Sequence, residues 1–213
     1  MKQQVPDRAA VPRRNFLKAA AAIAAGVSAG LPVGASLAQT GTLPSGKILI
    51  AYFSRTGTTR AVVNQIRDAV GGELFELRTA HRYPAAYRAT TEQAKRELDE
   101  GFRPVLTTQV ADMAVYDVVF LGFPNWWGTL PTAIFSFLEQ YSLAGKTVIP
   151  FCTHEGSRFG RSLDDLRSRC GNARILDGLA LRGGGAERVA GESVRREISQ
   201  WLRGLDLAVG APA

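Results

Sequence analysis

Metal-ligating and disulfide-forming residues are scarce, with two cysteines and two histidines among 213 residues. Cys152 and Cys170 are too few to form the disulfide framework that holds small secreted proteins together. His81 and His154 stand far apart in the sequence and show no metal-ligand spacing. From these absences we expect neither a metal site nor a disulfide-stabilised scaffold.

A strong charge of one sign is also missing once the N-terminus is set aside. The chain carries a net charge of +7, but residues 1–38 alone hold five Lys or Arg against one Asp. The rest of the chain has 21 basic and 18 acidic side chains, a net of +3. Because this charge is mild and scattered, we expect no nucleic-acid partner and no attraction to a membrane surface.

No hydrophobic run is long enough for a comfortable transmembrane helix, and the most apolar one, 19–33, is rich in Ala and Gly. The segment Arg13-Arg14-Asn15-Phe16-Leu17-Lys18 before it resembles the twin-arginine export motif, and Ser36-Leu37-Ala38 is a small-x-small cleavage signal. We therefore predict that 1–38 is a twin-arginine signal peptide, recognised by the export machinery and cleaved near Ala38. The protein would then be periplasmic or otherwise exported, with no stable membrane anchor. The alternative is a basic disordered tail.

Signatures of nucleophilic catalysis are absent as well. Ser157 and His154 share a loop, but no G-x-S-x-G elbow surrounds the serine. Cys152 ends an apolar stretch, where a cysteine is usually a small buried hydrophobe. We therefore assign no catalytic residue from the sequence.

The part of the chain that remains alternates between strand and helix patterns. Residues 39–46 contain Gly and Pro and are predicted to be a linker, 47–205 to be one domain, and 206–213 to be a C-terminal tail. Short apolar runs predict strands at 48–53, 73–79, 117–122, 147–152 and 174–181. Five amphipathic segments with helical spacing follow these runs, and the stretch 105–111 is interpreted as a loop. This alternation predicts an α/β domain with a three-layer, doubly wound, five-stranded parallel sheet.

The first predicted strand ends in a turn that is rich in hydroxyl groups, which we call the first loop (residues 54–59). Its sequence is Ser54-Arg55-Thr56-Gly57-Thr58-Thr59. A strand, such a turn and a helix N-terminus together direct backbone N–H groups at a phosphate. The pattern is neither a Walker motif nor G-x-G-x-x-G, so one monophosphate fits best, bound by these N–H groups and the hydroxyls of Ser54, Thr56 and Thr59. We expect the Arg55 side chain to face solvent. The alternative is an ordinary capped turn.

Two further loops follow strands whose carboxyl ends lie at the same sheet edge. The second loop (124–129) contains Pro124, Asn125, Trp126, Trp127 and Gly128, and its adjacent indoles suit a flat aromatic ligand. The alternative is that one of the tryptophans fills the core. The third loop (153–160) contains Thr153, His154, Glu155, Gly156, Ser157, Phe159 and Gly160. Its glycines would let the backbone approach a ring edge.

The three loops together resemble those of the flavodoxins, over roughly residues 47–205. Ser54-x-Thr56-Gly57-x-Thr59 is similar to their phosphate loop, Pro124-Asn-Trp-Trp-Gly-Thr-Leu-Pro131 to the isoalloxazine loop of the bacterial flavodoxin-like branch, and Thr153-His-Glu-Gly-Ser157 to its second flavin loop. The resemblance implies FMN as cofactor, the strand order 2-1-3-4-5, and redox cycling without a metal. The usual second stacking tyrosine has no clear counterpart, and Phe159 is the candidate for that position.

These observations predict an exported, FMN-binding, flavodoxin-like electron-transfer protein. Its partner would be a redox protein or a small-molecule electron acceptor. The alternative is an NAD(P)H-dependent quinone or small-acceptor oxidoreductase that uses FMN. A third hypothesis is a flavin-free binding module that merely keeps the fold.

Overall fold

The computed structural model describes residues 46–205. The predicted signal peptide, nearly all of the predicted linker and the C-terminal tail lie outside the described residues. Within 46–205, no helix combines the length and the apolar character that crossing a bilayer requires.

Strands and helices alternate along the described residues, as the sequence predicts. The strands are β1 (Ile48–Tyr52), β2 (Glu73–Glu76), β3 (Val118–Pro124), β4 (Thr147–His154), β5 (Arg174–Ile175) and β6 (Leu179–Arg182). The helices are α1 (Thr58–Val70), α2 (Tyr87–Asp99), α3 (Thr132–Gln140), α4 (Ser162–Arg167), α5 (Ala186–Val189) and α6 (Glu192–Gly204). The short helix α5 begins directly after Gly185 and has no counterpart in the sequence-based prediction.

The strands form one sheet in the order β2-β1-β3-β4-β5, and β6 also pairs with β4. All of these pairings are parallel. The predicted parallel sheet and its order 2-1-3-4-5 are therefore confirmed. In this order β1 and β3, whose chain connections run in opposite directions, are neighbours, so their carboxyl ends flank the crevice where such sheets bind ligands.

The fifth predicted strand, 174–181, is divided into β5 and β6, and a proline in the neighbouring strand accounts for the break. Residues 176–178 bulge opposite only two residues of β4, because Val148 pairs with Ile175 whereas Phe151 pairs with Leu179. Pro150 lies at this point in β4. The N–H of Thr147 points to β3, so by alternation position 150 faces the fifth strand, where proline has no N–H to donate.

The second predicted strand, 73–79, is also shorter than expected. After β2 the chain turns away and pairs with the segment predicted to be a loop: the Ala80 N–H donates to the Val105 carbonyl at 2.9 Å, and the Thr107 N–H to the Arg78 carbonyl at 2.8 Å. This antiparallel contact lies beside the sheet edge that β2 would otherwise leave bare.

Helices cover both faces of the sheet, which produces two separate apolar cores. On one face α1 and α6 pack with Val63, Ile66 and Ile198 against the central strands. On the other face α3 and α4 pack with Ile134, Phe137 and Leu166. The central strands are therefore buried on both sides, which is why they appear in the sequence as continuous apolar runs. This packing fixes the strand ends that carry the three loops.

Candidate functional site

A cleft of about 820 Å³ opens at the carboxyl ends of β1, β3 and β4. Its volume lies within the range of about 300–1,000 Å³ that is usual for small-molecule sites. The three loops meet there and contribute Ser54, Arg55, Thr56, Thr58, Thr59, Pro124, Asn125, Trp126, Trp127, Gly128, Thr153, His154, Glu155 and Ser157. Most of the residues predicted from the sequence are thus brought together in one cavity.

The first loop presents a row of unused backbone donors. Gly57, at a left-handed φ of 87°, precedes the first residue of α1. Among the described residues, the N–H groups of residues 55–59 have no acceptor. The hydroxyls of Thr56 and Thr58 lie 3.2 Å apart beside these amides. Because the donors are at a helix N-terminus, the loop has the geometry and the electrostatics of an anion site.

The hydroxyl groups of Ser54 and Thr59 have other partners, which differs from the expectation that both contact a phosphate. Thr59 is buried, and its hydroxyl lies 3.0 Å from that of Thr153 in the third loop. The Ser54 oxygen accepts the Arg60 N–H at 3.3 Å. These contacts shape the first loop and connect it to the third, so Thr56 and Thr58 are the hydroxyls that remain available to a ligand.

The Arg55 side chain does not face solvent as expected but is half-buried. One guanidinium nitrogen donates to the Pro84 and Ala85 carbonyls, each at 3.2 Å. The expectation failed because two main-chain acceptors converge on this position from a segment thirty residues away. Arg55 therefore attaches the chain before α2 to the first loop.

The second loop contains a tight two-residue turn. Trp126 and Thr129 exchange backbone hydrogen bonds of 3.1 and 3.0 Å, and both central residues have positive φ, 53° at Trp127 and 76° at Gly128. Asn-Gly is typical of such turns, whereas a bulky residue with positive φ is an outlier that costs about 1–2 kcal/mol. Strain of this kind persists where the surroundings hold it and is frequent at functional sites.

The two tryptophans have different environments, although both line the cleft. The Trp126 ring packs edge-on against Phe53 and Tyr83, with ring centroids 5.5 and 4.9 Å apart. Trp127 is 56% exposed, and its indole N–H donates to the Thr91 carbonyl on α2 at 2.9 Å. Trp126 therefore joins the cleft to the core, while Trp127 lies at the mouth.

The third loop supports the second through backbone contacts. The Arg161 N–H donates to the Gly128 carbonyl at 2.8 Å, and the Asn125 side-chain amide donates to the Arg158 carbonyl at 2.6 Å. A Cβ on Gly160 would lie 2.3 Å from the Gly128 oxygen. The close approach predicted for Gly160 is thus made to the second loop rather than to a ligand.

Phe159 also differs from its predicted role. Its ring packs against Phe123, with centroids 6.3 Å apart, and fills the space beside Gly178 at the break between β5 and β6. Because it is held in this position, it forms no part of the cleft wall. Phe159 is a packing residue and does not supply a second aromatic face.

Two further side chains of the third loop have fixed partners. The Gly156 N–H donates to Nδ1 of the buried His154 at 2.9 Å, so Nδ1 carries no proton in this contact. The Glu155 carboxylate accepts the Gly184 N–H at 3.2 Å. The first bond lies within the third loop, and the second holds this loop against the turn before α5, which also lines the cleft through Gly183 and Gly185.

The comparisons with known proteins agree with this geometry. A flavodoxin family model matches residues 47–201. The chain belongs to the flavodoxin family. Two structures of proteins described as flavoproteins are similar. The one from Bacteroides uniformis ATCC 8492 is 32% identical, with a TM-score of 0.64, and the match covers 74% of this chain and 98% of that one. The one from Bacteroides eggerthii DSM 20697 is also 32% identical, with a TM-score of 0.63, and the match covers 78% of this chain and 99% of that one. A flavoprotein from Lactobacillus acidophilus NCFM, solved in complex with FMN, shares the fold. It is 23% identical, with a TM-score of 0.56, and the match covers 65% of this chain and 93% of that one. No functionally curated protein is a significant match.

In this flavodoxin a fourth wall of the cleft comes from α2 and was missed by sequence reasoning. Tyr87, Thr90, Thr91 and Ala94 line it. Tyr87 is the first residue of α2 and is 71% exposed. The helix extends beyond the core at its N-terminal end. Small hydroxyl residues beside the tyrosine are the signal that could have identified this wall.

The two thiols take no part in the cleft. Cys152 and Cys170 are both free and buried. Burial raises the pKa of Cys152 to about 12 and that of Cys170 to about 11. Because a thiolate is the reactive form, both cysteines are packing residues near neutral pH.

Proposed function

We propose that this chain binds FMN in the cleft and acts as an exported electron-transfer protein. The observation that carries the proposal is the pairing, in one cavity, of five unused backbone N–H groups in the first loop with two tryptophans in the second. The N–H groups suit a phosphate, and the tryptophans suit a flat aromatic ring. A phosphorylated, planar cofactor requires both.

The residues of the cleft fit the two parts of FMN. The N–H groups of 55–59 and the hydroxyls of Thr56 and Thr58 would hold the phosphate, while Trp126 and Trp127 would contact the ring. When bound, FMN supplies redox chemistry, and the protein supplies binding, orientation and electrostatic tuning. The flavoprotein from L. acidophilus, which has the same fold, was solved in complex with FMN.

An oxidoreductase role is the second candidate, and the exposed cleft mouth favours it. Tyr87 is 71% and Trp127 is 56% exposed, so a second planar molecule could reach the ring. The enzyme would then pass electrons from NAD(P)H to a quinone or another small acceptor. Rapid steady-state turnover with these substrates would support the enzyme and contradict a pure carrier.

Export is the part of the proposal that rests on the sequence alone. The twin-arginine motif at Arg13-Arg14 and the small-x-small signal ending at Ala38 support it. This route accepts folded cargo, so a cofactor acquired in the cytoplasm would be retained.

The visible spectrum of the purified protein tests cofactor binding directly. We expect flavin absorbance, and we expect heat to release FMN rather than FAD or riboflavin. A colourless protein that also fails to bind added FMN would contradict the proposal and favour a flavin-free binding module.

A further inference from the structure

A second cavity, of about 730 Å³, adjoins the cleft and shares Ser54 and Arg55 with it. We call it the arginine cavity. Its walls come from the ends of β1 and β2 and from the chain before α2. It is concave and has the size of a small-molecule site, so it differs from the flat, extended surface of a protein interface.

The arginine cavity concentrates the positive charge of the domain. Arg55, Arg60, Arg78 and Arg82 line it, and Glu76 is its one acidic residue, a net of +3. Residues 46–205 contain 21 basic and 17 acidic side chains, a net of +4. One cavity wall thus holds most of the charge imbalance of the described residues, and a low-dielectric concave wall focuses that field on an anion.

The existing contacts leave this charge largely uncompensated. Glu76, whose side chain is 14% exposed, pairs with both Arg60 and Arg78, the latter at 2.9 Å. Arg55 donates to neutral carbonyls, and Arg82 is exposed with no partner among the described residues. One carboxylate therefore faces four guanidinium groups, and guanidinium groups bind phosphate well through their fork of N–H donors.

The position of Glu76 indicates what kind of phosphate compound would fit. It ends β2, the strand that pairs with β1, and it stands 19 residues after Gly57. In nucleotide-binding sheets with a G-x-G-x-x-G loop, an acidic residue about 20 residues after the loop binds a ribose hydroxyl, or a nearby Arg accommodates a phosphate on that ribose. The first loop lacks that motif, but Glu76 and Arg78 stand at the corresponding place after it. We propose that the arginine cavity binds the adenylate part of a phosphorylated nucleotide, with its phosphate on Arg78 and Arg82.

Calorimetric titration of FMN-loaded protein with adenosine 2′,5′-bisphosphate tests the proposal. We expect saturable binding that weakens as salt is raised, because partly exposed charges are screened. Adenosine, which lacks phosphate, should bind at least about tenfold more weakly. The double variant Arg78→Gln, Arg82→Gln should weaken bisphosphate binding by a similar factor while FMN affinity stays unchanged.

Arg88→Gln is the matched control. Arg88 is exposed on α2, pairs with Glu92 and lies outside the cavity wall, so its replacement should leave bisphosphate binding unchanged. The proposal would be overturned if the bisphosphate showed no saturable binding, or if the double variant bound it as tightly as the unchanged protein. It would also be overturned if inorganic phosphate or adenosine bound as tightly as the bisphosphate. If the protein fails to bind FMN, the same titration is made on flavin-free protein, so this site and the proposed function fail separately.

The adenylate could belong to a separate nucleotide or to a dinucleotide cofactor, and a second titration distinguishes them. Flavin-free protein is titrated with FMN and with FAD. Tighter binding of FAD that disappears in the double variant would assign the cavity to the adenylate half of the cofactor. Saturable bisphosphate binding to FMN-loaded protein without a preference for FAD would assign it to a separate nucleotide.

Discussion

At the residue scale, the hydroxyl groups of the first loop differ in what they are free to bind. Thr59 is engaged with Thr153, whereas Thr56 and Thr58 lie next to each other beside the free amides. Changing Thr56 and Thr58 together to Ala removes two hydrogen bonds to a charged group, each worth about 1.5–3 kcal/mol. We expect the affinity for FMN, measured by quenching of flavin fluorescence, to fall by about a hundredfold or more.

Riboflavin is the matched ligand for this experiment, because it carries the same ring without the phosphate. Its affinity should remain nearly unchanged in the double variant. Equal losses for FMN and riboflavin would place the phosphate elsewhere in the cleft.

The buried thiol of Cys170 leads to a prediction about alkaline stability. Its pKa is raised by burial to about 11, from an ordinary value of 9.0. Between pH 9 and 11 the unfolded chain therefore loses this proton while the folded chain keeps it. The free energy of unfolding should fall as pH rises, with a slope of up to about 1.4 kcal/mol per pH unit from this group.

Cys170→Ala removes that contribution, so urea denaturation between pH 8 and 11 should show a shallower fall than in the unchanged protein. The small cavity left by the substitution lowers stability equally across the range and does not affect the comparison of slopes. Parallel curves would show that the thiol ionises with similar ease in both states.

At the scale of elements, the second loop depends on the third for its position. Gly160 has a positive φ of 53°, and a Cβ there would lie 2.3 Å from the Gly128 backbone oxygen. Gly160→Ala should therefore displace the turn that holds Trp126 and Trp127. We expect weaker binding of both FMN and riboflavin, by at least about tenfold, together with a shift in tryptophan fluorescence, because the ring side of the cleft is affected.

Gly101→Ala is the control for the backbone strain alone. Gly101 has a similar φ of 63°, but a Cβ there would meet nothing within 4 Å. The substitution Gly101→Ala should lower the free energy of unfolding without changing the affinity for flavin. If Gly160→Ala behaves in the same way as this control, the contact with Gly128 does not shape the site.

The sequence predicts strands and loops well where their position depends only on residues of the same segment. The apolar runs at β1, β3 and β4 predict a parallel sheet with the three loops at the ends of its strands, whereas the strand order came from the resemblance to the flavodoxins. The break between β5 and β6 could not be predicted from residues 174–181, because its cause, Pro150, lies in the neighbouring strand. The wall of the cleft that contains Tyr87 was missed for a related reason: helical spacing identifies a face but not where the core beneath it ends.

At the scale of the whole molecule, the proposed cofactor and the proposed export route constrain each other. The proposed FMN contacts come from three loops that are distant in the sequence, so they exist only when β1, β3 and β4 are paired. An unfolded chain could not carry the cofactor across a membrane. Bound ligand stabilises the folded state by RT ln(1 + [L]/Kd), which favours a folded precursor before export. The two free cysteines are compatible with folding in a reducing cytoplasm, since no disulfide is required.

Replacing Arg13 and Arg14 by Lys tests this argument, because the charge is kept while the twin-arginine motif is lost. We expect the variant to accumulate in the cytoplasm as a yellow, FMN-loaded precursor whose N-terminus is not cleaved after Ala38. Cell fractionation, N-terminal sequencing and the flavin spectrum of each fraction measure the outcome. Replacing Lys2 and Arg8, which lie outside the motif, is the matched control and should leave export intact. Recovery of the cleaved Arg13, Arg14 variant outside the cytoplasm would contradict the export proposal, while the assignment of FMN to the cleft would stand.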